Sequence, residues 1–448
     1  MSTLTVFSED YPDLDNLPWI VWVQLRPDAL PPEYMDNLEE YLGERYPEFA
    51  DRWKDVQAQL PELSFERTFF TLSTGQLAEL AARQEQATVE PVTLQEFFSH
   101  YLLRVPSGEG AAFVAEMLLV LEHIFARVQV QVPLPVQPAG GQPYLGGADP
   151  VLDTAGINVR DAWTEAGGNG ENAVMGLIEQ CWALAHRDLA ASIAPRRYPQ
   201  VQPADLQAAV VHALADVGIL AAAHNAIGCD GIAAGAAIQL ISSLRTKNGA
   251  ALYDVADAIT VITQRLPRGA VLLVEEQAET LWQGRVQLAP VEQVAAVQTA
   301  IRAAVNSGVA VIEPAGNGGI DIDAMLTAGD SGAIMVGACA DDGQHPSRLT
   351  GVLPSNFGGR VDCYAPGEFV ETLAPNNGTR NDYGGTSSAS AIIAGAAAVV
   401  LSIAAARGRT VTPAELRDGF RQTGTASSAP GVDRIGVMPD VGALIANL

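Results

Sequence analysis

The sequence predicts an α/β protein, a doubly wound, mostly parallel sheet with helices on both faces, joined to a smaller α+β N-terminal region. Three observations point there. Short, predominantly apolar runs recur at 173–178, 236–241, 270–274, 309–312 and 333–336, and runs with little polar alternation are the signature of strands buried on both faces. Ala- and Gly-rich helical stretches separate them, which is the order of a sheet covered by helices. The chain has 448 residues, 48% of them apolar, enough for a sizeable core and for more than one domain.

In chain order the texture changes three times. Residues 1–98 are rich in charge and aromatics, with helical spacing at 33–42 and 74–84, and read as a helical or mixed region. Residues 99–134 read strand, helix, strand (101–105, 110–126, 128–132), with Pro106 and Gly108 as breakers. A Pro- and Gly-containing linker covers 135–148, and the α/β domain covers 149–448. Ser387 to Ala406 carries no charge over a length that could cross a membrane. Its Ala, Ser and Gly content gives lipid transfer little driving force, so a central buried helix is expected and no membrane partner.

Charge removes another class. With 52 acidic and 26 basic residues the net charge is −26, and Lys54 and Lys247 are the only lysines. Neutralising phosphates needs clustered cations, so nucleic acid is not an expected partner. The N-terminus has neither a basic nor an apolar signal region. Cys181, Cys229, Cys339 and Cys363 lack CxxC spacing, so buried thiols in a cytoplasmic protein are expected, with no zinc site. No loop has calcium-ligand spacing, and no cofactor or metal is expected.

In open parallel sheets, sites form beyond the carboxyl ends of strands. This draws attention to Glu179, Glu275 with Glu276, and Glu313 through Asn317. A serine candidate follows in Gly384-Gly385-Thr386-Ser387-Ser388-Ala389-Ser390, which opens the uncharged helix. There, backbone N–H groups favour negative charge growing on an attacked carbonyl; the alternative is a simple helix cap. All six histidines precede Ser387, which excludes the Ser…Asp…His order, and Ala389 breaks a GxSxG motif. An Asp…His…Ser order remains open.

These residues resemble the subtilisin-like serine peptidases (subtilases). Gly385 through Ser390, followed by Gly395, is similar to the nucleophile motif of that family. Ala315-Gly316-Asn317-Gly318-Gly319 is similar to its oxyanion-hole motif, and Ala365-Pro366-Gly367 matches a segment ahead of the nucleophile. His212, with Gly218, Gly228 and Gly231-Ile232-Ala233, resembles the stretch carrying the catalytic histidine. His186-Arg187-Asp188-Leu189 resembles the segment following the catalytic aspartate, and 101–132 resembles a propeptide.

Four positions depart from the family pattern. Where the strand 174–178 should end on Asp, one alignment places Glu179 and another places Leu177. The difference matters, because loss of the orienting acid costs roughly 10⁴ in kcat. His212 is followed by Ala213 rather than Gly, and Ala391 stands where Pro is usual. The substrate-pairing Ser-Leu-Gly segment is replaced by Leu273-Val274-Glu275-Glu276-Gln277, whose acidic groups would favour basic substrate side chains or be solvated strand-end charges.

The resemblance implies a serine endopeptidase acting on peptide or protein substrates through an acyl-enzyme on Ser387. His212 would be the base, Asn317 an oxyanion donor and Glu179 the orienting acid, with the propeptide-like region as an intramolecular partner. The alternative is a catalytically impaired subtilase fold retained for peptide binding or scaffolding.

Overall fold

The computed structural model describes residues 19–84, 88–132, 156–182, 186–189, 207–225, 228–247, 250–282, 284–326, 329–340, 347–351 and 353–448. The expected linker 135–148 lies outside them.

The N-terminal region is one sheet built from β1 (Trp19–Leu25), β2 (Glu66–Arg67), β3 (His100–Val105) and β4 (Phe125–Val132). β1 reads WIVWVQL, aromatic and β-branched residues that suit a pleated surface. It lies between β3 and β4, antiparallel to both. The boundary expected at 98/99 therefore does not divide this region, because β1 and β3 are hydrogen-bonded neighbours. The helix expected over 110–126 spans Gly108–Leu119 instead. The backbone turns at Leu121 to Ile124, and long-range pairing of Phe125 with Leu25 claims the next residues for a strand. The spacing at 33–42 yields a helix only over Leu38–Arg45, and that at 74–84 a helix over Thr74–Ala82.

The second sheet uses β5 (Val174–Glu179), β6 (Ala237–Ser242), β9 (Val271–Val274), β12 (Ala310–Pro314), β13 (Ile334–Ala340), β15 (Cys363–Pro366) and β19 (Val437–Pro439). All five apolar runs fall on its strands. These strands are parallel in the order β19-β15-β13-β12-β9-β5-β6. Short antiparallel pieces, β14 (Ser347–Arg348) and β18 (Gly424–Ala426), flank β13 and β19. Hairpins β7 (Leu244–Lys247)/β8 (Ala250–Tyr253) and β16 (Val370–Ala374)/β17 (Gly378–Tyr383) stand off it. β5 is the switch point, since the chain goes from it to β6 on one side and later to β9 on the other. Its carboxyl end, Glu179, is where a crevice opens in such sheets.

Strand alternation gives this sheet two cores. Leu177, Leu240 and Leu273 face one cluster with the helices Gln207–Ala221 and Gly385–Ala406. Ile178, Ile241 and Leu272 face the other, with the helices Val255–Thr263 and Ala295–Asn306. The uncharged C-terminal stretch is thus a core helix, with 89% of its most apolar window buried.

The N-terminal sheet packs into the second core. Polar ties fix it there. Thr71 N and Oγ1 donate to Asp257 at 2.9 and 2.6 Å, Asp257 pairs with buried Arg245, and His100 Nε2 lies 2.9 Å from Thr299 Oγ1. A hairpin from the α/β domain, β10 (Gln277–Trp282) and β11 (Arg285–Pro290), extends the N-terminal sheet, with β10 beside β4. The two regions therefore share a core and a sheet.

Candidate active site

Three separate elements meet beyond the carboxyl end of β5. Glu179 ends that strand, two residues after Leu177 and on the same face. Leu177 is fully buried in the core, whereas Glu179 reaches the imidazole of His212. The helix Gln207–Ala221 supplies His212, and the helix Gly385–Ala406 supplies Ser387 in its first turn.

The local sequence explains how Ser387 is presented. Gly384 is the helix cap and offers no side-chain hydrogen bond, so the serines lie inside the helix rather than capping it. Gly385 has φ +75°, a left-handed conformation suited to glycine, and a Cβ there would sit 3.0 Å from Asn317 Oδ1. Ser388 and Ser390 are engaged elsewhere. Ser388 Oγ donates to the Pro366 or Gly385 carbonyl, and Ser390 Oγ lies 2.7 Å from Glu275 Oε2. Deeper in the helix, Gly395 packs directly on Ile232.

The distances form a proton path. His212 Nε2 is 3.2 Å from Ser387 Oγ, and His212 Nδ1 is 3.1 and 3.3 Å from the two Glu179 oxygens. Asn317 Oδ1 accepts from Thr386 N at 2.9 Å and faces Thr386 Oγ1 at 3.0 Å. Those contacts fix the amide, and its buried Nδ2 donor has no hydrogen-bond partner among the described residues. An oriented, unsatisfied N–H beside a nucleophile is what a developing oxyanion needs. Ser387, His212, Asn317 and Glu179 are all buried.

The remaining histidines stand apart. His186 accepts from Asp188 N and its Nε2 faces the Gly378 carbonyl, while His224 Nε2 faces the Gly231 carbonyl. His100 and His123 belong to the N-terminal region. Glu275 and Glu276 are not solvated charges, since each is 1% exposed. Glu276 lies 2.5 Å from Ser243 Oγ and also bonds the Tyr253 hydroxyl, and burial pushes its carboxyl up to about 7.

Two residues escaped the sequence reading. Asp216, one helical turn after His212, places Oδ2 3.1 Å from His212 Nδ1. Tyr383 donates to Asp216 Oδ1 at 2.7 Å and lies 3.1 Å from His212 Nε2. The His-x-x-x-Asp spacing on one helix face was the available signal for Asp216; Tyr383 has none, because it comes from the end of β17. Electrostatics follow from this crowding. Burial, then the Asp216 charge, hold Glu179 well above the usual carboxylate range. Burial would lower His212, but Asp216, Glu275 and Glu276 outweigh it and raise the imidazole above its ordinary value.

Glu179, His212 and Asp216 also offer ligand atoms within 4.8 Å of one another. Their contacts here are to each other, to Ser387 and to Tyr383, which fits proton handling better than metal ligation.

Comparison with known proteins gives the family. The family model described as "Subtilase family" matches residues 170–436. The extracellular protease of Xanthomonas campestris pv. campestris is 28% identical over 313 residues, 62% of this chain and 51% of that protein. Subtilisin-like protease 10 of Arthroderma benhamiae is 41% identical over 108 residues, 24% of this chain and 20% of that one. Subtilisin NAT of Bacillus subtilis subsp. natto is 27% identical over 277 residues, 58% of this chain and 62% of that one. The matches thus span a fifth to about three fifths of these relatives. The fold is similar to that of fervidolysin from Fervidobacterium pennivorans, a keratinolytic enzyme related to subtilisin, at TM-score 0.53 and 19% identity over 84% of this chain and 60% of that one. With 267 of its 448 residues matched to the family model, the chain belongs to the subtilase family of serine peptidases.

Proposed function

We propose that this chain is a serine endopeptidase that hydrolyses peptide bonds through an acyl-enzyme on Ser387. The observation that carries the reading is the line Ser387 Oγ, His212 imidazole, Glu179 carboxyl, at 3.2 and 3.1 Å. Ser387 attacks the substrate carbonyl while His212 Nε2 takes its proton. The carbonyl oxygen, now negative, is held by Asn317 Nδ2 and the backbone N–H of Ser387. His212 then gives its proton to the leaving amine, and water repeats the sequence to release the acid. Glu179 orients the imidazole in place of the usual aspartate, its extra methylene filling the distance from the strand end.

The N-terminal region acts as an inhibitory intramolecular partner of this enzyme. It covers the helices Val255–Thr263 and Ala295–Asn306, and processing would fall between 133 and 148. Mass spectrometry of active protein then finds new N-termini in that interval; full activity from uncleaved chain would contradict the inhibitory role.

One observation favours a second reading, a peptide-binding module of low activity. The Tyr383 hydroxyl lies 3.1 Å from His212 Nε2, against 3.2 Å for Ser387 Oγ, and it competes with Ser387 whenever its single proton turns from Asp216 Oδ1 to that nitrogen. Turnover of an unstructured protein substrate separates the two. The peptidase reading expects cleavage that Ser387→Ala abolishes, and cleavage unaffected by that substitution would end it.

A further inference from the structure

A single imidazole here faces more carboxyl groups than one triad uses. Glu179 and Asp216 both lie 3.1 Å from His212 Nδ1 at their nearest atoms, and all three side chains are at most 4% exposed. The two carboxyls approach differently. Glu179 accepts a hydrogen bond from Nδ1–H, whereas Asp216 Oδ2 is close in space yet receives no hydrogen bond among the described residues. Asp216 Oδ1 is already satisfied by the Tyr383 hydroxyl. A buried carboxylate oxygen left unsatisfied keeps its desolvation cost with no hydrogen bond to offset it. Two ionised carboxylates at one buried nitrogen would also repel each other strongly.

One additional proton removes both problems. From this geometry we propose that Glu179 and Asp216 form a hydrogen-bonded carboxyl–carboxylate pair that shares one proton and carries a single negative charge. This pair, rather than Glu179 alone, positions His212. The shared proton lies between Glu179 and Asp216 Oδ2. The other Glu179 oxygen accepts from Nδ1–H and sets the direction of the ring, while the charge beside the ring sits mainly on Asp216. The raised Glu179, whose causes after burial are the charge and hydrogen bond of Asp216, agrees with this placement. Charge balance agrees as well. Asp216, Glu179, Glu275 and Glu276 all act on the His212 site from the His212 helix, β5 and the end of β9, with the Tyr383 hydroxyl from β17. A dry pocket with one cation would not hold four anions.

Asp216 is thus a positioning residue acting through Glu179 and His212. The proposal rests on the peptidase reading only for its kinetic test. Either carboxyl can carry the charge alone, so Glu179→Gln, which mimics the protonated partner, and Asp216→Asn, which leaves Glu179 to ionise, each reduce fluorophosphonate labelling no more than about tenfold. The double variant loses both charges and falls by roughly 10⁴, the cost of losing an orienting acid. A loss in either single variant equal to that of the double would overturn the pair. A second measurement holds even if the wild type does not label, which would be a failure of the peptidase reading alone. In ¹⁵N-histidine spectra, the His212 midpoint stays raised in both single variants and drops in the double; a drop in one single variant equal to the double contradicts sharing. If a variant fails to fold, ¹³C carboxyl shifts of wild type at neutral pH decide. One proton held between Glu179 and Asp216 supports the pair, and two ionised carboxylates refute it.

Discussion

Removing the Asn317 side chain tests the oxyanion site, and the structure sets the size of the effect. Asn317 Nδ2 is buried and has no partner among the described residues, so it gains its hydrogen bond only when charge develops on a substrate oxygen. Loss of such a donor costs about 10²–10³ in kcat, or roughly 2.7–4 kcal/mol of transition-state stabilisation. Asn317→Ala also removes the acceptor for Thr386 N and Oγ1, at 2.9 and 3.0 Å. That second effect could displace Ser387, so Thr386→Ala is the control: it removes the Oγ1 bond, keeps the backbone bond and leaves Nδ2 in place. Steady-state hydrolysis of a chromogenic peptide should show kcat down 10²–10³ in Asn317→Ala with KM nearly unchanged. Thr386→Ala should stay within about tenfold of wild type. The reasoning is refuted if Asn317→Ala retains kcat within tenfold, or if its loss appears in KM alone.

Three further outcomes follow from the same contacts. His212 must be neutral to act as a base, and its neighbours raise it above the ordinary histidine value; kcat/KM should therefore rise with pH through a midpoint above about 6.5, and a midpoint below that would contradict the carboxyl cluster's influence. His100 is buried beside Thr299 and lowered to about 3, chiefly by burial, so it folds neutral. The unfolded chain binds the extra proton below about pH 6.5, so this contribution is complete above that pH and lost as pH falls towards 3, by about 3 kcal/mol at pH 4; urea denaturation at pH 7 and pH 4 should show a smaller drop for His100→Gln, and an equal drop would remove His100 as a cause. Gly395→Ala would place a Cβ 2.7 Å from Ile232 Cβ. Overpacking costs about 1–3 kcal/mol against a helix gain of about 1 kcal/mol, so the denaturation midpoint should fall; a rise would mean the contact relaxes freely.

The legible parts of this protein are those written in local pattern. Each apolar run became a strand of the parallel sheet, because a strand buried on both faces carries few polar residues; the exception, Gln239, stands in β6 at the end of the strand order. Ser387 and Asn317 were legible because glycine-rich turns mark places where backbone approaches backbone. Glu179 and Leu177 could not be separated by alignment, since both lie on the same strand face; only reach to His212 separates them. Trp19–Leu25 carried a strand signal in its aromatic and β-branched run, yet its place between two later strands depends on pairing across about a hundred residues. The segment that replaces the substrate-pairing motif, ending at Gln277, leads into the β10–β11 hairpin. That hairpin's recruitment into the N-terminal sheet is a tertiary fact that no window of sequence contains. Asp216 was within reach of a helical-spacing argument, whereas Tyr383 meets the site only through the turn of β17.

The account stands on Ser387 as a nucleophile activated by His212. The most direct measurement is intact-mass and peptide-mapping analysis after a fluorophosphonate probe, on wild type, Ser387→Ala and His212→Ala. The account predicts one adduct per chain on Ser387 in wild type, none in Ser387→Ala, and labelling slowed by orders of magnitude in His212→Ala. Wild type left unlabelled, or labelled equally in all three proteins, would contradict it.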